Sequence, residues 1–401
     1  MTLAYLRSPQ AIRDRCNILY ELACQDKLQH FRVDLSQLET TADYVLQVIR
    51  EHYPNLDIPF HSRWQHFEVG GISRIAQLNA QLASLPPIEQ AKAKYDLAII
   101  SVLLDAGAGA AWKYQEAETG GTYQRSEGLA VASLRMFERG LFSSSPQNHL
   151  QADAEGLKSL TESRLAAGFQ VSSDNPLVGL SGRLQLLQKL GQSLTHYPDY
   201  FGSDHPRPGN LVSYFLSQAE NKQISASFIF TTILTGLGEI WPGRLTLEGV
   251  NLGDVWQHSA LPDAGYIPFH KLSQWLTYSL LEPLQEIGLE ITQLNALTGL
   301  PEYRNGGLCL DLGLLQPKSN RILEQAHQVD SEVIVEWRSL TVILLDKIAQ
   351  VIRKKLQLSE TELPLVKVLQ GGTWTAGRKI AAELRPGGIP PIQIDSDGTV
   401  F

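Results

Sequence analysis

Residues 299–315 read G-L-P-E-Y-R-N-G-G-L-C-L-D-L-G-L-L. Pro301 disfavours helix for the residue before it and Gly306-Gly307 permits a sharp turn, so Glu302, Tyr303, Arg304 and Asn305 are expected on a short, rigid connection. Apolar residues then alternate over 308–315 as in a buried strand interrupted by one acid, Asp311. A carboxylate, a phenol, a guanidinium and an amide on one constrained turn suit the grip of a polar small molecule and acid–base chemistry on it. The same residues also suit a satisfied turn with a surface ion pair.

Outward from this stretch the period is helical. Residues 269–287 read as a helix kinked at Pro283, 320–329 as a further segment, and 331–356 as a long helix with apolar residues at Val335, Leu340, Ile343, Leu344, Ile348 and Val351. Ser8-Pro9 places an N-cap and a first-turn proline before a helix over 11–28, and Pro54 closes another over 36–52. Helices are also predicted over 72–85, 88–104, 126–139, 153–167, 177–194, 211–219 and 224–237. Residues 241–244, W-P-G-R, form a stop, 245–250 a short strand, and 390–401 a terminal strand and turn. The expected class is mainly α with a few short strands: one family-length unit over 1–401, a two-lobed helical body open to division into 1–170 and 171–401.

Composition narrows the function. With 43% hydrophobic and 19% charged residues over 401 positions, the chain can bury a large core. A formal net charge of −8 argues against a nucleic-acid partner. Cys16, Cys24 and Cys309 are too few and too far apart for a disulfide framework, so a reducing, cytoplasmic setting is expected. The most weakly charged stretch, 223–238, carries Ser225, Ser227, Thr231, Thr232 and Thr235, which makes it too polar to span a bilayer; no membrane partner is expected.

Two further stretches carry chemistry. Residues 58–71, I-P-F-H-S-R-W-Q-H-F-E-V-G-G, concentrate His, Trp, Arg and Glu beyond what a connection requires. L-L-D-A-G-A-G-A-A-W from Leu103 lacks the lysine of a phosphate-binding loop and reads as a helix end followed by a turn. His61, His66, Glu68, His258 and His270 are metal-ligand types without closed ligand spacing, so neither a metal nor another cofactor is expected. Nothing in the sequence sets an oligomeric state.

Several long motifs carry a resemblance. R-W-Q-H-F-E-V-G-G from Arg63, R-S-E-G-L-A-V-A-S-L-R-M-F from Arg125, G-F-Q-V-S-S-D-N-P-L-V-G-L from Gly168, I-W-P-G-R-L-T-L-E-G-V-N-L-G-D-V-W from Ile240 and L-T-G-L-P-E-Y-R-N-G-G-L from Leu297 are among them. Together they resemble the uracil-catabolism protein four family over nearly the whole chain, which implies a part in breaking uracil down to small products including urea. Residues 300–306 are also similar to the F-A-D-Y-R-x-P-Q segment of queuosine-salvage hydrolases, with Glu302 at the place of a catalytic aspartate and without the following proline and glutamine. Residues 332–339, E-V-I-V-E-W-R-S, look like the E-V-E-I-R-A helix start of the same proteins. That resemblance implies a helical body of the kind seen in helical DNA glycosylases and in these hydrolases, and cleavage of an N-ribosyl bond.

Such cleavage passes through an oxocarbenium-like transition state and needs a carboxylate near C1′, a placed water and a proton for the departing nitrogen. The resemblance places Glu302 as that carboxylate; Asp254 or Asp311 is expected as the second acid, and His258 or His66 as the proton donor to a urea-like leaving group. Arg304, Arg338, Lys271 and Arg244 are the candidates for a phosphate. Asn251 and Asn305 are expected among the polar substrate contacts, with Tyr303 and Trp64 packing on the ligand. The expected ligand is a pyrimidine-derived nucleotide, ribosylurea 5-phosphate. A metal-dependent amidohydrolase or deaminase and a non-catalytic nucleotide-binding protein are the alternatives.

Overall fold

The Ser8 hydroxyl accepts the N–H of Ala11 at 3.1 Å and Pro9 takes the first helical position, so the helix Pro9–Cys24 starts where its Ser-Pro pair places it. The computed structural model describes residues 1–241 and 244–395. It is 56% helical, and its strands form six two-stranded sheets among the described residues, so the fold is mainly α. Two units divide the chain: Met1–His61, Gly243–Trp275 and Gln293–Phe401 form one, Ser62–Pro242 and Leu276–Thr292 the other. Of the predicted 241–244 stop and terminal strand, residues 242–243 and 396–401 lie outside the described residues.

In the first unit the helix Glu332–Leu356 is buried along most of its length, with Val335, Leu340, Leu344 and Ile348 fully enclosed. It packs against Pro9–Cys24, Leu38–His52 and Tyr303–Asp311. Each large aliphatic side chain enclosed in this way contributes about 1.5–3 kcal/mol. In the second unit, Pro87–Leu103 is enclosed on nearly every face and packs on Arg125–Glu138. Buried charges there are paired: Glu116 meets Arg74 at 2.7 Å and Arg135 at 2.6 Å. Burial acts to raise its pKa, but hydrogen bonds from Arg74, Thr119 and Arg135 together hold it down at about 2.

Several sequence expectations need correction. The strand over 308–315 is instead the helix Tyr303–Asp311, followed by a short strand, Leu315–Pro317. Glu302 caps that helix through the N–H groups of Arg304 and Asn305, and Gly306 lies where an added Cβ would come 2.7 Å from Trp337 Nε1. The glycine pair therefore lies inside a helix, with Gly306 serving close helix packing, and does not form a turn. The helix over 153–167 is two, Ala154–Lys158 and Glu162–Gly168, each opened by its own side-chain cap, Asp153 and Thr161. Residues 224–237 begin with a strand, Gln223–Ser225, before the helix Ala226–Leu237. The strand over 245–250 is a tight hairpin, Thr246–Leu247 against Val250–Asn251. A helical run from Leu365 to Leu384 went unread in the sequence; it contains a π-helical turn, Leu369–Thr373, in which a Cβ on Gly372 would lie 2.6 Å from Val45.

Candidate active site

Glu302 lies at the start of a buried helix. Its Oε1 accepts the N–H of Asn305 at 2.6 Å and its Oε2 the N–H of Arg304 at 2.7 Å, which fixes the carboxylate at the positive end of Tyr303–Asp311. Burial pushes its pKa up; the two amide bonds, then Lys271 and Arg304, pull against that. The residue keeps partial exposure, as do Tyr303 and Lys271. The result is an oriented carboxylate that holds a proton more readily than an ordinary glutamate.

Beside it stands Asp254. The turn that presents Asp254 is closed by Asn251, whose Oδ1 accepts the N–H of Gly253 at 2.9 Å. Asp254 accepts from Arg338 Nη1 at 2.7 Å and Nη2 at 2.8 Å, from Trp256 Nε1 at 2.6 Å and from the N–H of Lys271 at 3.0 Å. Arg338, which outweighs the other partners, and the rest of these donors hold its carboxyl well below the usual carboxylate range against the opposing effect of burial. Arg338 is itself 1% exposed, lies 4.1 Å from the Phe269 ring centroid and donates Nε to the carbonyl of Pro301 at 3.4 Å. Glu302, Asp254, Arg338 and Lys271 thus share one neighbourhood, linked through Pro301 and the start of the helix Lys271–Glu286.

The other predicted residues are placed as follows. Arg304 lies 4.9 Å from the Tyr303 ring centroid and donates to the carbonyl of Gly388 at 2.7 Å. Asn305 is fully buried, donating to the carbonyl of Leu300 at 3.0 Å while its Oδ1 has no hydrogen-bond partner in the protein. Arg244 stacks 5.0 Å from the Trp256 ring centroid. Asp311 closes the helix that Glu302 opens, about 13 Å along its axis, and is bound at both oxygens by Arg385 at 2.7 and 2.6 Å. His258 accepts the N–H of Ala260 at Nδ1 and donates Nε2 to Glu336 at 3.3 Å, and Glu336 also binds the N–H groups of Gln29, His30 and Phe31. His258 is therefore engaged at both ring nitrogens.

Trp64 and His66 belong to the second unit. Trp64 donates Nε1 to the carbonyl of Ser279 at 2.7 Å, and burial, then the Arg63 charge, pushes the His66 pKa down to about 4. The glycine-rich turn after Leu103 directs the carbonyls of Leu104, Ala106 and Gly107 at the buried Arg183. Among the described residues no group of three or more His, Cys, Asp or Glu side chains comes together as a metal site would require. No described helix is long and apolar enough to cross a membrane.

Sequence reasoning missed Trp256, Phe269 and Glu336. Trp256 carried a signal, since it stands two residues from Asp254 at the spacing of one strand face. Phe269 and Glu336 meet partners far away in the chain and had none.

Comparison with known proteins covers the full length. Protein urg3 of Schizosaccharomyces pombe is 43% identical over 410 residues, spanning 100% of this chain and 99% of its own. Uracil catabolism protein 4 of Lachancea kluyveri is 36% identical over 437 residues, with the same coverage of both chains. The family model for DUF1688, described as a protein of unknown function, matches residues 5–401. With residues 5–401 matched by that model and the whole chain by both relatives, the protein belongs to the DUF1688 family.

Proposed function

We propose that this protein acts in uracil catabolism and hydrolyses the N-ribosyl bond of a ring-opened uridine nucleotide derivative, ribosylurea 5-phosphate. Water adds at C1′, the C1′–N bond breaks, and the nitrogen leaves with a proton as urea, while the sugar is released as ribose 5-phosphate. The observation that carries this reading is Glu302, a half-buried residue whose carboxylate is desolvated and oriented by two helix N–H groups. A carboxylate in that setting stabilises positive charge growing at C1′ and takes a proton from the attacking water. The name of the Lachancea kluyveri relative supports the pathway.

Lys271 supplies the positive charge beside Glu302 and is the first choice for the 5-phosphate. Arg304 and Tyr303 frame the same helix start. Asp254, engaged by four donors, acts as a positioning residue: with Arg338 it holds the backbone at Pro301, one residue before Glu302.

The test is to incubate the purified protein with synthetic ribosylurea 5-phosphate and with uridine 5′-monophosphate, following urea, uracil and ribose 5-phosphate by mass spectrometry. Urea and ribose 5-phosphate appear from the first substrate alone, and Glu302→Gln lowers the rate about 10²–10⁴-fold while ligand binding persists. Unchanged turnover in Glu302→Gln would sink the assignment. Binding without products from either compound would make this a nucleotide-binding protein instead.

A further inference from the structure

The first unit holds a groove of about 750 Å³ lined by residues outside the Glu302 cluster. Its charges cancel in pairs: Arg13 meets Asp346 at 2.8 Å and Arg353 meets Glu360 at 3.1 Å, while the remaining lining charges, Lys347 and Asp14, are one of each sign. A groove so balanced offers little net attraction to a phosphate. It offers amide chemistry instead, from Gln350 and from Asn17 and Asn295, whose Nδ2 groups each donate one hydrogen within the protein, to Glu21 at 2.8 Å and to Glu360 at 3.1 Å, beside the apolar Ile343 and Leu365. An amide side chain presents a donor and an acceptor side by side, which matches the C=O and N–H edge of an imide ring. The volume lies within the range of small-molecule sites and has room for a nucleoside.

A second observation ties this groove to the proposed active site. Arg13, one of its walls, donates Nη1 to the carbonyl of Ala296 at 3.0 Å and Nη2 to that of Leu297 at 2.9 Å. The next residue, Thr298, is pinned by its N–H to Gln274 Oε1 at 2.8 Å, and the chain then runs through Pro301 to Glu302. One guanidinium therefore serves both the groove wall and the backbone that leads to the carboxylate.

We propose that the groove binds an uncharged pyrimidine nucleoside and that its occupant acts on the Glu302 helix start through Arg13. The balanced charge and the amides select a neutral imide-bearing ligand, and the choice of a pyrimidine rests on the function proposed above. Because Arg13 divides its donors between Asp346 and two carbonyls, a ligand that engages Asp346 or Arg13 changes how firmly residues 296–302 are held.

The experiment is calorimetric titration of the full chain with uridine, for the wild type, Gln350→Trp, Asn295→Leu and Glu302→Gln. Gln350 and Asn295 are exposed, so an indole or an isobutyl group there fills or dries the groove without entering the core. Uridine binds the wild type and Glu302→Gln equally, and about tenfold or more weakly to Gln350→Trp and Asn295→Leu, whose melting temperatures match the wild type. Bound uridine slows amide hydrogen exchange over residues 296–303 in the wild type and not in Gln350→Trp. No uridine binding, or binding that both groove variants retain, overturns the site; binding without a change in exchange overturns its action on Glu302. Neither readout needs turnover, so failure of the hydrolase reading would show separately, in the activity of Glu302→Gln.

Discussion

A carboxylate can be desolvated for quite different ends, and three acids here show it. Glu302 has a raised pKa, so the native state binds its proton more tightly than the unfolded chain does; its contribution to stability falls as pH rises from the ordinary value of 4.5 through the folded one. In urea denaturation the difference between Glu302→Gln and the wild type should shift in favour of the variant between about pH 4 and pH 8. Glu282 follows the same sign: burial pushes it up to about 7, and its carboxylate is bonded to Ser62 at 2.7 Å. Replacing it by Gln should gain roughly 3 kcal/mol at about pH 8 and little near pH 4, read from the same denaturation curves. Asp254 has the opposite sign, being held down by Arg338, so its contribution is present in full above the ordinary value of 3.8 and is lost as pH falls from there toward the folded one. Asp254→Ala strands a guanidinium that is 1% exposed and should cost about 3–5 kcal/mol in urea denaturation, much of it recovered when Arg338 becomes Met. Residue types and the short Asp254 to Trp256 spacing were legible in the sequence. The desolvation that separates these acids was not, because it depends on what packs around each one.

At the scale of elements, caps carry most of what was readable. Ser8 and Asp153 each accept an N–H three residues on, an interaction local enough for the sequence to display, whereas the same cap at Thr161 falls inside the single helix expected over 153–167. The misread strand has an equally local cause: L-C-L-D-L-G-L-L alternates, yet its apolar residues also fall three and four apart, and the Glu302 cap decides for helix. Glycines inside helices look alike in sequence and differ in structure. A Cβ on Gly377 would lie 2.2 Å from the carbonyl oxygen of Arg304, where the helices Trp374–Leu384 and Tyr303–Asp311 meet, whereas one on Gly182 would touch nothing within 4 Å. Gly377→Ala should therefore destabilise by about 1–3 kcal/mol or more. By contrast, Gly182→Ala should stabilise by about 0.5–1 kcal/mol, and thermal denaturation of the pair checks both signs.

Across the molecule, the first unit is assembled from three stretches of chain and the second from two, so neither corresponds to a contiguous half. Arg13 reaches Asp346 across 333 residues and Arg338 reaches Asp254 across 84. A chain ending at residue 292 keeps every segment of the second unit but loses Glu332–Leu356, against which Pro9–Cys24 packs. Limited proteolysis of that truncation should cut first within residues 1–61, while 62–242 remains protected. By itself the sequence determined the mainly α class, most helix starts and the long motifs that mark the family, because caps, periods and turn residues act over a few positions. Only the tertiary structure decided that Glu302 lies beside Lys271, that Asp254 is engaged by Arg338 and that Asp311 is held by Arg385 at the far end of the helix Glu302 caps. Those assignments depend on burial and on partners distant in sequence, and both arise only once the chain has closed on itself.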